Sequence, residues 1–566
     1  MESKKSVWDS SRTGSPALPT HYSSSRPASP LPVKGFYSPS SPRSVHRSPP
    51  RRSGSPLNVP LLSRRMQLYV TRGAALFLLV LGLLAASLLM RQAELTNRSG
   101  RKSQYPFHHH FGPGSHSVSA GSGGKDVVDV DEDLDIEGLP RLGVSRTMMN
   151  KWAQYAPWMP AGGYLAPPVG CDISQVNLLQ RHGARYPTSH AGEEIENAIN
   201  KLLLVEEYQH DNLEFLNSYH YELGEDDLIP FGAKQSFTSG KDAWSRYSHL
   251  VNGSTPPFVR ASGSERVILS AQNWTAGFAN ASLEVVIPNV DVIIPEGSDK
   301  NNTLDDGTCP NVGDSDDQDH EWLSIFAPPI AARLNKWAPG AHLKDKDVYG
   351  LMSMCAFHTL SLESQSPFCA LFTEADFEGY EYRNDIDKFY GTGYGQKLGR
   401  VQGAGYVNEL LARLTGQPVT DNTQTNRTLD SSPDTFPLDR AFYADFSHDN
   451  EMIAIYAALG LFRQHQLANE TLHPTSPDSS RTWIASSLVP FGARMVVERM
   501  ECDARNSVPA GSYVRIFVND ALQPLEFCAG SDETEAGMCS LEAFVQSQAY
   551  ARSDGNGDFE KCFEDD

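Results

Sequence analysis

Along the chain the apolar residues fall into three regimes. Up to residue 72 no stretch alternates like a strand or recurs like a helix, and Ser and Pro dominate runs such as SPALPTHYSSSRPASPLP and RSPPRRSGSP. Such a segment buries too little apolar surface to offset its chain entropy, which predicts a disordered tail over 1–72. From 73 to 90 the pattern inverts, because GAALFLLVLGLLAASLLM is eighteen residues without a charge between Arg72 and Arg91. As a helix it covers roughly 27 Å, enough to cross a thin bilayer. The residues before it are too many for a cleaved signal peptide, so a single-pass signal anchor is expected. Residues 91–160, with SHSVSAGSGGKDVVDVDEDLDIEGLP at their centre, lack periodicity and predict a flexible stalk.

Beyond residue 160 three short apolar runs stand out. VNLLQ (176–180) stops at Arg181, with Gly183 marking a tight turn. PPFVR ends at Arg260 and is followed by SGSERVILSAQNWTAGF, where Ser262 and Glu265 have capping-box spacing and Val267, Ala271 and Trp274 recur at helical intervals. AFYADF runs into SHDNEMIAIYAALGLF, with Asp449 or Ser447 as a helix cap. Residues 196–249 and 320–415 are helix-rich. Strands that feed helices predict an α/β sheet, whose ligands gather at the carboxyl ends of the strands.

Charge and cysteines sharpen the topology. The first 72 residues carry twelve Lys and Arg against Glu2 and Asp9, a charge of +10, so the remainder holds −31 of the chain's net −21. Arg64, Arg65 and Arg72 before the apolar segment place the tail in the cytosol. The acidic remainder repels polyanions and excludes nucleic acid as a partner. It fits work in an acidic medium, where carboxylates protonate, as well as ordinary solubilising charge. All eight cysteines (Cys171, Cys309, Cys355, Cys369, Cys502, Cys528, Cys539, Cys562) follow the apolar segment, as a disulfide set in an oxidising compartment would. So do seven glycosylation acceptors, Asn97, Asn252, Asn273, Asn280, Asn301, Asn426 and Asn469. Residues 91–566 are therefore expected to be lumenal or extracellular, in a type II orientation at the cell surface, in the secretory pathway or at a vacuole. The eight cysteines alone leave 105 connectivities open.

The candidate chemistry lies at the three run ends. In LLQRHGARYPTSH two guanidiniums and an imidazole crowd into five residues and would repel one another unless something strongly anionic sat among them. A phosphate fits. A neutral histidine attacks phosphorus well when cations neutralise the phosphoryl oxygens, and guanidinium forks match those oxygens. His182 is the candidate nucleophile, Arg181, Arg185, Arg260 and His448 the candidate phosphate ligands, and Asp449 the candidate proton donor to the leaving oxygen. The arginines supply the positive charge, so no metal or other cofactor is expected, and His108–His110 have no matching ligand pattern nearby.

RHGARYP, FVRASGSERVI and FSHDN resemble the histidine acid phosphatases, specifically their fungal phytase branch, and the resemblance runs from about Pro167 to the carboxyl end. It implies an acid phosphomonoesterase that hydrolyses phosphate esters, inositol phosphates such as phytate among them, through a phosphohistidine at His182. It implies the phosphate-binding and proton-donor roles just assigned. It also implies a phosphoglycerate-mutase-like α/β sandwich carrying an inserted, mostly helical second domain, with the α/β core at about 161–195, 250–300 and 430–566 and the helical part at about 196–249 and 301–429. The family's disulfide pattern implies Cys171 with Cys502, Cys309 with Cys562, Cys355 with Cys369 and Cys528 with Cys539. The tail, anchor and stalk depart from the secreted phytases. Rival classes are a mutase sharing the RHG loop, a strict phytase and a catalytically silent membrane-anchored binding protein. Where fungal phytases resemble one another in lysines near the pocket, this chain has Glu193 and Glu194 after the RHG loop and Asp387 beside Lys388. These carboxylates are expected to repel the outer phosphates of phytate and weaken any preference for it.

Overall fold

The computed structural model describes residues 139–504, 509–528 and 537–564. The basic tail, the apolar segment 73–90 and Asn97 lie outside the described residues, and no described helix is long and apolar enough to cross a membrane. Eight strands form one sheet: β1 (Cys171–Arg181), β2 (Phe258–Ser262), β3 (Val290–Ile294), β4 (Phe442–Ser447), β5 (Arg494–Cys502), β6 (Gly511–Val518), β7 (Ala521–Leu522) and β8 (Cys539–Ser540). Their order is β3-β2-β4-β1-β5-β6-β7, with β8 also on β6. The four strands from β3 to β1 run parallel, and the rest are antiparallel.

Among the described residues, eight longer helices accompany the sheet: α1 (Ser189–Leu203), α2 (Pro230–Tyr247), α3 (Glu265–Ala281), α4 (Asp316–Trp337), α5 (Asp345–Leu362), α6 (Glu374–Gly391), α7 (Ala404–Thr415) and α8 (Asp449–Leu459). Strand side chains alternate between faces. Val176, Leu178, Phe442, Ala444 and Phe446 therefore pack with Val267, Trp274 and Phe278 of α3 on one side. Leu179 and Tyr443 pack with Tyr406, Leu410, Met452 and Ile455 of α7 and α8 on the other. A third core joins α1, α4, α5 and α6 through residues such as Ile199, Leu334, Leu351 and Tyr380. The architecture is an α/β sandwich with an additional helical part.

Several boundaries differ from the expected ones. Helix α2 lies against α3 so closely that a Cβ on Gly240 would stand 2.0 Å from the Trp274 carbonyl oxygen. It therefore belongs to the sandwich, and so does α7, whose apolar face is buried against the sheet. The stalk expectation fails for its last part. Trp152, Ala153 and Ala156 are fully buried, because this segment crosses α6 and reaches the end of β1. Four disulfides join Cys171–Cys502, Cys309–Cys562, Cys355–Cys369 and Cys528–Cys539, the pairing that the resemblance implied. The first pair sits directly opposite on β1 and β5.

Candidate active site

Strands β1 and β4 are in parallel register with Arg181 beside Ser447, so the residues that follow them emerge side by side. The His182 amide donates to the Ser447 carbonyl at 3.0 Å, and the His182 and His448 rings stand 5.6 Å apart, edge to face. The loop after β1 admits only glycine at 183, because a Cβ there would lie 2.2 Å from the Gly232 carbonyl oxygen. The Gly183 amide donates to Ser270 Oγ of α3 at 3.0 Å, which ties the loop to the helix after β2.

His182 is 1 % exposed. Burial, then the charges of Arg181, Arg185, His448 and Arg266, hold its pKa well below the ordinary histidine value. A neutral ring carries one N–H, and Nδ1 lies 2.9 Å from the Gly183 carbonyl oxygen. The proton therefore belongs on Nδ1, and Nε2 keeps its lone pair. Arg181, fully buried, donates through Nη1 to the carbonyls of Gln154 and Val489, the latter at 2.7 Å. Its Nη2 reaches Asp449 Oδ2 at 3.2 Å. Arg185 donates to the Tyr186 carbonyl at 2.8 Å, and the Phe491 ring lies within 6 Å of Arg181, Arg185 and His182 alike.

His448 Nε2 meets Glu296 Oε1 at 2.8 Å. That carboxylate also accepts from Ser262 Oγ and the Ser264 amide. Burial opposes its charge, but the bonds from His448, Ser262 and Ser264 bring its pKa down to about 2. Asp449 opens α8 with His448 as the cap, while Ser447 Oγ bonds the Leu304 carbonyl instead of capping. Burial works against the Asp449 carboxylate, yet Arg181, Lys388, His182 and Arg185 outweigh it and hold its pKa well below the usual range. Lys388 Nζ lies 3.0 Å from Asp449 Oδ2 and 2.6 Å from Asn450 Oδ1. Glu296, Asp305 and His448 bring potential cation ligands within 4.8 Å of one another, but the Glu296–His448 bond already engages the imidazole nitrogen. Asp305 is pushed up to about 6 by burial, against the pull of His448.

Arg260 does not join this group. It sits in mid-strand, 1 % exposed, with Nε 2.8 Å from Asp445 Oδ1 and Nη2 2.6 Å from Glu409 Oε2. Arg413 completes the cluster, 2.6 Å from Asp445 Oδ2. Strand β2 continues to Ser262, and α3 starts only at Glu265 with Ser264 as its cap, so Ser262 and Glu265 form no capping box. The arginine in the first turn of α3 is Arg266. Its carbonyl accepts from Ser270 Oγ, the hydroxyl that holds Gly183. Its charge acts on His182, Arg181 and Arg185, and its Nε has no hydrogen-bond partner. Arg266 is the cation that the reading of PPFVR did not reveal. Position N2 of the helix after β2 was the available signal, since anions are favoured there.

A buried histidine with a free nitrogen, ringed by cations at the carboxyl ends of parallel strands, defines a phosphoryl-transfer site. Residues 172–519 match the model of the histidine phosphatase superfamily, branch 2, and the chain belongs to that family. It is a phosphoric monoester hydrolase. It is 42 % identical over 434 residues to Phytase A of Emericella nidulans and 41 % over 432 residues to Phytase A of Aspergillus fumigatus, in each case covering 73 % of this chain and 90 % of the relative. The fold is shared with the crystal structure of the phytase from D. castellii (TM-score 0.59, 22 % identity, 72 % of this chain and 85 % of that one). A Bifidobacterium longum multiple inositol polyphosphate phosphatase, solved with inositol hexasulfate, superposes with a TM-score of 0.50 at 16 % identity, over 71 % of this chain and 98 % of that one.

Proposed function

We propose that the protein is an acid phosphomonoesterase that accepts phytate among its substrates and works through a phosphohistidine on His182. One observation carries this: a neutral, buried imidazole whose Nε2 lone pair is free while Arg181, Arg185 and Arg266 surround it. Nε2 attacks phosphorus, the bond from phosphorus to the leaving oxygen breaks, and Asp449 gives that oxygen a proton. Water then attacks the phosphohistidine, the P–N bond breaks, and Asp449 takes the water's proton. His448, held by Glu296, and Arg266, in the place first assigned to Arg260, complete the phosphate grip. Without substrate Asp449 is a carboxylate held by Arg181 and Lys388. A phosphate brings negative charge to the same cations, weakens their hold on Asp449 and raises its affinity for a proton.

Three carboxylates, Glu193, Glu194 and Asp387, are expected to weaken binding of phytate. Asp387 lies 3.5 Å from Lys388, the lysine that contacts Asp449, and keeps its role. Glu194 lines a groove with Asn197, Lys201, Lys346 and Asp347, and Glu193 beside it on α1 is exposed. Strict preference for phytate is the second reading, favoured by the Phytase A relatives. Turnover of phytate, p-nitrophenyl phosphate and alkyl phosphates by the full chain between pH 3 and 7 tests both readings. Comparable kcat/KM values across the panel support the broad esterase. A phytate value orders of magnitude above the rest establishes the strict phytase, and no turnover rejects both.

The segment 73–90 as anchor and the type II orientation belong to the same reading, supported by the four disulfides. Asn252, Asn280, Asn301 and Asn469 are exposed, and Asn273 and Asn426 half-buried. Glycosidase treatment should lower the apparent mass. A catalytic domain that protease destroys in sealed vesicles while the tail survives would refute the orientation.

A further inference from the structure

We propose that Glu381 and Asp385 of α6 are positioning residues for Arg181, Glu381 clamping both backbone segments whose carbonyls hold the guanidinium and Asp385 the second of them. The proposal rests on Arg181 being a phosphate ligand. Glu381 and Asp385 are four residues apart and so share a helix face, and both are buried. Glu381 Oε2 accepts from the Ala153 amide at 2.6 Å, and its Oε1 accepts from the Ser486 amide at 2.9 Å. Asp385 Oδ1 accepts from the Ala485 amide at 2.6 Å, and its Oδ2 accepts from Arg481 Nε at 2.8 Å. One helix face thus grips two segments that are more than 300 residues apart in the chain.

The grip ends at the site. Gln154, next to Ala153, supplies one carbonyl to Arg181 Nη1. Val489, whose amide donates to the Ala485 carbonyl, supplies the other. A guanidinium held on two carbonyls directs its remaining nitrogens toward Asp449 and the phosphate position, and a small displacement of either carbonyl turns the fork. Neither segment is self-supporting. Ala153 has φ 52°, a left-handed conformation unfavourable to a residue with a Cβ, and residues 485–488 make only one turn of helix. The same face continues through Asn384, whose Oδ1 accepts from Gln154 Nε2 at 2.9 Å, to Lys388 beside Asp449. Glu381 and Asp385 touch no reacting atom, so they act only through what they hold.

The test is a double-mutant cycle in the full chain, read by competitive inhibition with inorganic phosphate and by kcat/KM on p-nitrophenyl phosphate. Glu381→Gln keeps one acceptor but turns an amide N–H toward the second backbone N–H. Asp385→Asn is the milder partner, should Glu381→Gln not fold. Either change should weaken phosphate inhibition and lower kcat/KM on the order of tenfold, since a misplacement of about 1 Å in a positioned group is felt at that scale or above. In an Arg181→Ala background the same changes should have no further effect. Losses that add in full to that of Arg181→Ala, or a lowered Tm with phosphate inhibition intact, would overturn the proposal. If Arg181→Ala itself leaves phosphate inhibition unchanged, the assignment of Arg181 has failed instead.

Discussion

Two arginine clusters lie within this sheet, and they are built to opposite ends. At the carboxyl ends of β1 and β4, Arg181 and Lys388 hold Asp449 from two sides, and Nε of Arg181, of Arg185 and of Arg266, whose Nη1 pairs with Asp226 at 3.4 Å, has no hydrogen-bond partner. In the middle of the sheet, Arg260 of β2 and Arg413 of the overlying α7 are joined to Asp445 and Glu409 in ion pairs of 2.6 to 2.8 Å, and although Arg413 Nε is also without a partner, each guanidinium here has a carboxylate against it. There burial opposes charge on both partners, yet Asp445 is held down at about 2 by Arg260 and Arg413, and Arg260 is raised well above its ordinary value by Asp445 and Glu409. A surplus of desolvated cations binds an anion, whereas a matched set only holds strands and helices together. The residue type is the same in both clusters, and the difference lies in where the donors go.

Substitutions break this comparison in order of size. His182→Ala should cost 10⁴-fold or more in turnover, roughly the scale at which removing a nucleophile is felt, with the far-UV CD spectrum unchanged. Arg266→Met should lower kcat/KM by about 10²–10³, as loss of one charge-stabilising donor does, at nearly constant Tm. Arg260→Met should do the reverse and destabilise the fold by about 3–5 kcal/mol, because Asp445 and Glu409 are left buried with too little compensating charge; chemical denaturation measures it. If instead Arg260→Met folds normally and loses phosphate affinity, the two clusters have been assigned the wrong way round.

The strand ends were legible in the sequence because VNLLQ, PPFVR and AFYADF are short apolar runs followed by polar loops, and they are β1, β2 and β4. The structure departs from the expectation for Arg260 because PPFVR suggests a strand end at that residue. Two more residues of β2 put that side chain within the sheet, and the helix it was meant to precede begins at Glu265. The segment 139–160 lacks local periodicity and so predicts part of a stalk. Its order comes from tertiary bonds, such as that of the Ala153 amide to Glu381, which no local pattern announces. The disulfide pairing came through the resemblance and not through spacing.

Effects that depend on substrate or pH sharpen the picture. Asp449→Asn should slow alkyl phosphates by about 10²–10⁴ but p-nitrophenyl phosphate much less, since nitrophenolate leaves with little help from a proton. Glu296 has its pKa depressed from 4.5 to about 2, so its bond to His448 stabilises the fold above pH 4.5 and is lost as pH falls through about 2. Glu296→Gln should therefore lower stability most from pH 4.5 upward and progressively less as pH falls toward 2, where the unsubstituted chain loses the same bond. Asp387→Lys, the smallest change, should raise kcat/KM for phytate a few-fold relative to p-nitrophenyl phosphate. Equal changes on both substrates would remove Asp387 from specificity.

The covalent step is the centre of the account, and rapid quenching of the full chain during turnover of a ³²P-labelled ester tests it most directly. The label should appear on the peptide that contains His182, stable to alkali and released by acid, and should be absent from His182→Ala. Turnover at a normal rate with no such adduct on the millisecond scale, or label on another residue, would contradict it.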